Sequence, residues 1–302
     1  MCQKSRKMSA FCQLLLCFLL GVLVVPGAFA DRCVQDDLDR KVCLEKPADR
    51  IIALSPGATE LVFAAGAGEK MVAAVSFSDY PPAAEKLPRV GSYNRLDMEA
   101  ILALKPDLVI AWKSGNPQSQ TEQLASLDVP VYFSEPRRFA DVSTTLERFS
   151  ILAGSEQTGQ GAADAFRSGI AALRERYAEA APVTVFYQIW QEPLMTVNGQ
   201  HLISEAIQLC GGVNVFADLP ALAPRISVES VLAKNPEAIL AGGMGEDDPS
   251  WLDPWKRFSS LQAVKNGNLF FVAPSTLQRP TPQMLPGTRA LCRHLEGARA
   301  RR

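Results

Sequence analysis

The chain has 302 residues, with 31 Lys and Arg against 32 Asp and Glu and a formal net charge of −1. That balance gives no basis for nucleic-acid binding, which needs clustered cations. Hydrophobic residues make up 47% of the chain, enough for one large domain or two modest ones.

Lys4, Arg6 and Lys7 precede an apolar run from Phe11 to Val25, which Pro26 and Ala28–Ala30 follow. A basic start, a short apolar middle and a small-x-small site predict a secretory signal peptide over 1–30. The apolar run has 15 residues, fewer than the roughly 20 that cross a membrane. Arg32 stands before Cys33, where a lipid-anchored cysteine needs a small residue. Cleavage after Ala30 leaves 272 residues, 28 Lys and Arg against 32 Asp and Glu, and a net charge of −4. Cys33, Cys43, Cys210 and Cys292 remain, an even number that suggests disulfides in an exported chain. Four cysteines allow three pairings. A short hairpin favours Cys33 with Cys43, which leaves Cys210 with Cys292 to tie distant segments. With no CxxC or HxxxH spacing and only His201 and His294 available, nothing points to a bound metal.

A hairpin is predicted over Cys33 to Leu44. "RIIALSP" then reads as a buried strand ending in a turn, with Ser55 as the cap of the following helix, "GATELVFAAGAG", which stops at glycine. "MVAAVS", "DLVIAW" and "VPVYFS" are further strands. The alternation of strand and helix argues for a parallel sheet. From Phe139 to Ala181 the texture becomes helical and polar-faced, read as a long helix with an interruption near Gly154 to Gly161. After Pro182 the alternation resumes with "VTVFYQI", "LISEAIQLCGG", "SVESVLAKN", "EAILAG" and "SLQAVKNGNLFFV". The predicted fold class is α/β, two Rossmann-like α/β lobes joined by a single long helix. Residues 31–49 form an N-terminal hairpin segment, 50–138 the first lobe, 139–181 the linking helix and 182–302 the second lobe.

The two lobes share a repeat. "DMEAILALKPDLVIAW" from Asp97 and "SVESVLAKNPEAILAG" from Ser227 align at an offset of 130 residues, so that Glu99 falls on Glu229, Pro106 on Pro236 and Asp107 on Glu237. Asp97 and Ser227 are N-cap residues, which puts Glu99 and Glu229 in the first turn of their helices. A carboxylate is favoured there by the helix dipole. The alternative is that the two glutamates form paired docking points for a cationic partner.

Aromatics gather at strand ends and the loops after them: Phe77 and Tyr80 in "SFSDYPP", Tyr93 in "GSYNR", Trp112 in "AWKSGN", Tyr187 and Trp190 in "FYQIWQEP". Such loops form the crevice of open α/β sheets, and rings with a few polar neighbours suit a large, flat, partly apolar ligand. Phe77 and Tyr187 read as ordinary core or interface aromatics, and Trp251 and Trp255 as packing anchors. The chain has no GxSxG, HExxH or P-loop motif, and no base–nucleophile pair is evident, so hydrolase chemistry is not expected. "GGMGEDD" lacks the helix and lysine of a phosphate cradle and reads as a flexible loop.

"RIIALSPGATELVFAAG", "SDYPPAAEKLPRVGSYNRLDMEAILALKPDLVIAW", "CGGVNVF" and "SVESVLAKNPEAIL" resemble the periplasmic cobalamin-binding proteins that serve vitamin uptake transporters. These belong to the class of siderophore-, haem- and cobalamin-binding proteins with two lobes joined by one long helix. The resemblance spans about Arg50 to Leu295. It implies that Tyr80, Tyr93 and Trp112 face the corrin from the first lobe. From the second it implies Trp190 and the Ala223–Arg225 loop, Arg225 included, with Arg279 at the rim. Tyr93 matches a position expected to hold tryptophan. "LAPR" stands where "PWPQ" is expected, and "STLQR" lacks an expected aromatic, so part of the second-lobe wall is changed. The same resemblance pairs Cys210 with Cys292 and makes Glu99 and Glu229 contacts for arginines on the membrane subunits of an ATP-driven importer. It implies a monomeric periplasmic receptor with no catalytic activity and no cofactor, and a stiff linking helix with modest closure. Both histidines read as structural. The rival reading on the same scaffold is a haem or ferric-siderophore receptor, with Tyr80 or Tyr93 as candidate iron ligands.

Overall fold

A computed structural model describes residues 32–302 apart from Met244. The expected signal peptide therefore lies outside the described residues. The first sheet contains β3 (Ile51–Ala53), β4 (Met71–Ala74), β7 (Leu108–Trp112) and β8 (Val131–Ser134), all parallel and in the order β4-β3-β7-β8. The second contains β9 (Val183–Gln188), β10 (Gly212–Asn214), β11 (Ala238–Ala241) and β12 (Leu269–Phe271), again parallel and in the order β10-β9-β11-β12. The topology is the same in both. Each first strand lies between the second and the third, which places a switch point in the middle of each sheet.

Period-2 alternation divides the core. Leu108 and Ile110 of β7, with Val183, Val185 and Tyr187 of β9, face one continuous cluster that runs through both lobes. Val109 and Ala111 face an outer cluster of the first lobe. Phe186, Ile239 and Ala241 face an outer cluster of the second, where Trp251 and Trp255 are buried as the expected anchors. The repeat helices, α2 (Met98–Ala103) and α7 (Val228–Lys234), bury Ile101 and Val231 in these outer clusters.

The repeat holds down to single bonds. Asp97 accepts from the Ala100 N–H at 3.0 Å and Ser227 Oγ from the Ser230 N–H at 3.2 Å. Both helices leave through a left-handed residue, Lys105 at φ 47° and Asn235 at φ 44°. Asp107 then accepts the Arg50 N–H at 2.9 Å, and Glu237 the Thr184 N–H at 2.8 Å. Each acid thus fastens the third strand of its sheet to the start of the first.

The stretch read as a long helix with an interruption near Gly154 to Gly161 is two helices, and the break falls at Gly154. Helix α4 (Phe139–Ala153) ends where Gly154 turns left-handed at φ 70°, a conformation glycine adopts without the Cβ penalty. Helix α5 (Glu156–Arg176) then folds back along it. Gly159 permits the close approach, because a Cβ there would meet Ser150 Cβ at 2.2 Å. Helix α4 packs on α1 (Pro56–Ala64) and on β1 (Arg32–Gln35), beside the first sheet, whereas α5 reaches α10 (Met284–Arg299) of the second. The 21 residues of α5 make a connector about 31 Å long.

Both favoured cysteine pairs form. Strands β1 (Arg32–Gln35) and β2 (Lys41–Leu44) set Cys33 directly opposite Cys43, while Cys210 and Cys292 join the end of α6 (Leu202–Leu209) to α10. Asp36 and Asp37 in the hairpin turn bond the outward backbone groups of Phe133 and Glu135, covering the free edge of β8. Loop-closure entropy grows with the length enclosed. For the 82-residue separation it gives about 4 to 5 kcal/mol, and for the 10-residue separation nearer 3 kcal/mol. Replacing Cys210 and Cys292 together by Ser is therefore expected to lower the urea unfolding free energy more than replacing Cys33 and Cys43. Equal losses would show that loop length does not set the contribution.

Candidate functional site

Helices cover the faces of both sheets, so the loops at the carboxyl ends of the strands carry the exposed chemistry. In the first lobe, Tyr93 sits in the turn between β5 (Gly91–Ser92) and β6 (Arg95–Leu96). Its ring lies 5.7 Å from that of Trp112 at the end of β7, tilted by 52°. Tyr80 is 45% exposed and Phe77 72%. Of the two readings of Phe77, core or interface, its exposure rules out the core. Its residue turns left-handed at φ 66°, which directs the ring outward while the neighbouring Ser78 hydroxyl bonds inward to Thr59.

Asn116, which the sequence reading missed, organises this wall. Its Nδ2 donates to Leu54 O at 2.8 Å and Tyr93 O at 2.7 Å, and its Oδ1 accepts the Trp112 N–H at 2.6 Å. One buried amide therefore fastens the end of β3, the Tyr93 turn and the end of β7. The signal was a lone Asn four residues past Trp112 in "AWKSGN", read only as loop.

In the second lobe Trp190 is 42% exposed and packs edge-on against the buried Trp251, 5.6 Å away. Its indole N–H donates to Glu192 O at 2.9 Å. The backbone of Met195 bridges to Trp190 on one side and to Arg225 on the other, so the structure brings these two predicted residues together. Gln188, buried at the end of β9, accepts the Trp255 indole N–H at 2.7 Å. Tyr187 is core, as expected, and its burial pushes the phenol up to about 12.

Arg279 crosses between the lobes. Its Nη1 donates to Glu60 Oε1 at 2.7 Å and Asp79 Oδ1 at 2.8 Å, and Nη2 to Phe77 O at 3.4 Å. Glu60 is buried, and its other oxygen accepts from the Thr281 hydroxyl at 2.8 Å. Burial raises the Glu60 carboxyl above its usual range, against the pull of Arg279. Glu99 and Glu229 are exposed in the first turns of α2 and α7. The Glu229 carboxyl is held below its usual range by a backbone N–H and by Ser227.

Among the described residues, no group of His, Cys, Asp and Glu is placed to hold a metal ion, and no helix is long and apolar enough to cross a membrane. His294 stacks on Phe270 at 4.7 Å. His201 caps α6, its Nδ1 accepting the Ile203 N–H at 3.1 Å.

The chain matches the family model of a periplasmic binding protein over residues 51–276. The chain belongs to that family. Curated relatives of this periplasmic binding protein include the vitamin B12-binding protein of Vibrio parahaemolyticus, 36% identical over 85% of this chain and 93% of that protein. That of Vibrio cholerae is 38% identical over 83% and 90%. Among solved structures, the periplasmic vitamin B12 binding protein BtuF of Vibrio cholerae superposes with a TM-score of 0.78 at 38% identity, covering 84% of this chain and 98% of that one. The periplasmic heme-binding protein RhuT of Roseiflexus sp. RS-1 gives 0.74 at 23% identity, covering 83% and 99%, a likeness of fold alone.

Truncating Asn116 to Ala strands three backbone groups. It should cost about 2 to 3 kcal/mol of stability, read from urea unfolding, and an unchanged midpoint would remove Asn116 from this role. His201 supplies a second test. Burial lowers its pKa to about 4 from 6.5, so the unfolded chain takes up the proton first. Stability attributable to His201 is then full above pH 6.5 and is lost as pH falls toward 4, on the order of 2 kcal/mol. The variant His201→Asn keeps a cap without the titration and should show a flatter decline in urea midpoint between pH 7 and pH 5. An identical decline would sink the assignment.

Proposed function

We propose that the protein is a non-enzymatic periplasmic receptor that captures cobalamin between its two lobes and delivers it to the membrane subunits of an ABC importer. The observation that carries this reading is the paired aromatic wall. Tyr93 and Trp112 on the first lobe, and Trp190 braced by Trp251 on the second, stand at the carboxyl edges of two sheets of identical topology. Large rings of this kind bury a flat macrocycle well. The identity of 38% to vitamin B12-binding proteins supports cobalamin as that macrocycle.

Tyr80, Arg225 and Arg279 complete the proposed ligand surface, and Arg279 bonds the loop that bears Tyr80 through Asp79 and Phe77 O. Glu99 and Glu229 are the proposed docking points. Each extends from the same place on the same repeat, so a partner built as a pair of similar subunits meets one carboxylate per subunit. Exposed ion pairs are individually weak, typically under about 1 kcal/mol, and two of them orient and speed encounter more than they tighten it. The unbroken α5 favours a small closing motion over a wide swing.

Haem is the rival ligand, with the exposed Tyr80 and Tyr93 as iron-ligand candidates. The two histidines are engaged in capping and stacking. A ferric-siderophore reading wants free arginines, and Arg279 is already paired.

Titration calorimetry with cyanocobalamin, and with haemin in parallel, tests the proposal. One-to-one cyanocobalamin binding is expected, weakened about tenfold to a hundredfold by Trp112→Ala. The double variant Glu99→Ala/Glu229→Ala should titrate like the wild type yet stimulate a reconstituted importer several-fold less at sub-saturating receptor. A clear haemin isotherm with no response to cyanocobalamin would overturn the reading.

A further inference from the structure

Arg279 is the cation on which an anionic ligand would be expected to settle, because it stands where the lobes meet beside the loop that bears Tyr80. Two carboxylates already hold it. Its Nη1 lies 2.7 Å from Glu60 and 2.8 Å from Asp79. Formally one positive charge faces two negative ones, and the unbalanced charge belongs to the outer member. The Glu60 side chain is 2% exposed, that of Arg279 19% and that of Asp79 57%. Glu60 is further committed through Thr281. Asp79 uses Oδ1 on Arg279, and its Oδ2 takes no hydrogen bond from the described residues.

Resting on the cobalamin reading, we infer that Asp79, with Glu60 behind it, sets ligand specificity by neutralising Arg279 against carboxylate-bearing ligands and offering Asp79 Oδ2 to uncharged carboxamides. A carboxylate approaching Arg279 must either displace Asp79 from its ion pair or lie against a like charge. A primary amide carries N–H donors that a carboxylate oxygen accepts without any such cost. Corrinoids present amides around the ring, whereas haem presents two propionates. The same geometry therefore accepts the first periphery and repels the second. Glu60 acts through Arg279: from its buried position it anchors the guanidinium to the first lobe, so that Asp79 meets a fixed partner.

The test uses Asp79→Asn, an exposed position whose variant is checked for a wild-type circular dichroism spectrum. The probes are cyanocobalamin, its separated monocarboxylic acids from mild hydrolysis of the side-chain amides, and haemin beside its dimethyl ester. At least one monocarboxylic acid should bind the wild type about tenfold more weakly than cyanocobalamin, and Asp79→Asn should recover most of that loss. Haemin should gain by a similar factor in the variant while its dimethyl ester does not, and the gain should fade at about 0.5 M salt. The inference is overturned if neither the acids nor haemin gain, or if the ester gains as much as haemin, since charge is then not what is read. Failure of the wild type to bind cyanocobalamin would instead remove the cobalamin reading. The haemin–ester comparison would still decide the role of Asp79.

Discussion

A parallel sheet covered by helices on both faces can present chemistry along one edge, the carboxyl ends of its strands, and this constraint shapes the whole molecule. The two sheets meet it with the same strand order and with a continuous cluster running between the lobes. What varies is the length and content of the loops at that edge. Tyr93, Trp112 and Trp190 lie there because the sheets leave them no interior to occupy. Asn116 and Gln188 lie just beneath, each a buried amide that uses its oxygen to fix a tryptophan or its backbone.

The duplicated unit divides its labour between its two ends. At the helix start it exposes a glutamate. At the strand start an acid, Asp107 or Glu237, bonds the backbone that opens the neighbouring first strand. The left-handed exit at Lys105 and Asn235 makes the turn between them tight enough for both jobs. An acid conserved in kind at one end and a glutamate at the other thus have different reasons to recur, although the sequence presents them side by side.

Much of this was legible without coordinates because local rules and the fold agree. The capped repeat at offset 130, the alternation of strand and helix, the cysteine pairs and the packing role of Trp251 and Trp255 all follow from spacing and composition. The failures come from contacts between distant segments. Gly154 hinted at an interruption, but that α5 doubles back on α4 depends on Gly159 meeting Ser150. Phe77 read as a core or interface aromatic, and its left-handed backbone turns the ring away from the core. Arg279 was placed only at the rim, since no local pattern shows that Glu60 and Asp79, some 200 positions earlier, come to meet it. Asn116 carries no motif at all.

The hairpin over β8 has a consequence for handling the protein. Every residue of β8 is buried, and its outer backbone groups are satisfied by Asp36, Asp37 and Arg40 of a segment held in shape by Cys33 and Cys43. If reduction loosens that segment, an apolar strand with unpaired amides becomes available to another chain. Redox state and colloidal solubility are then coupled, and a reducing buffer is expected to promote association between molecules.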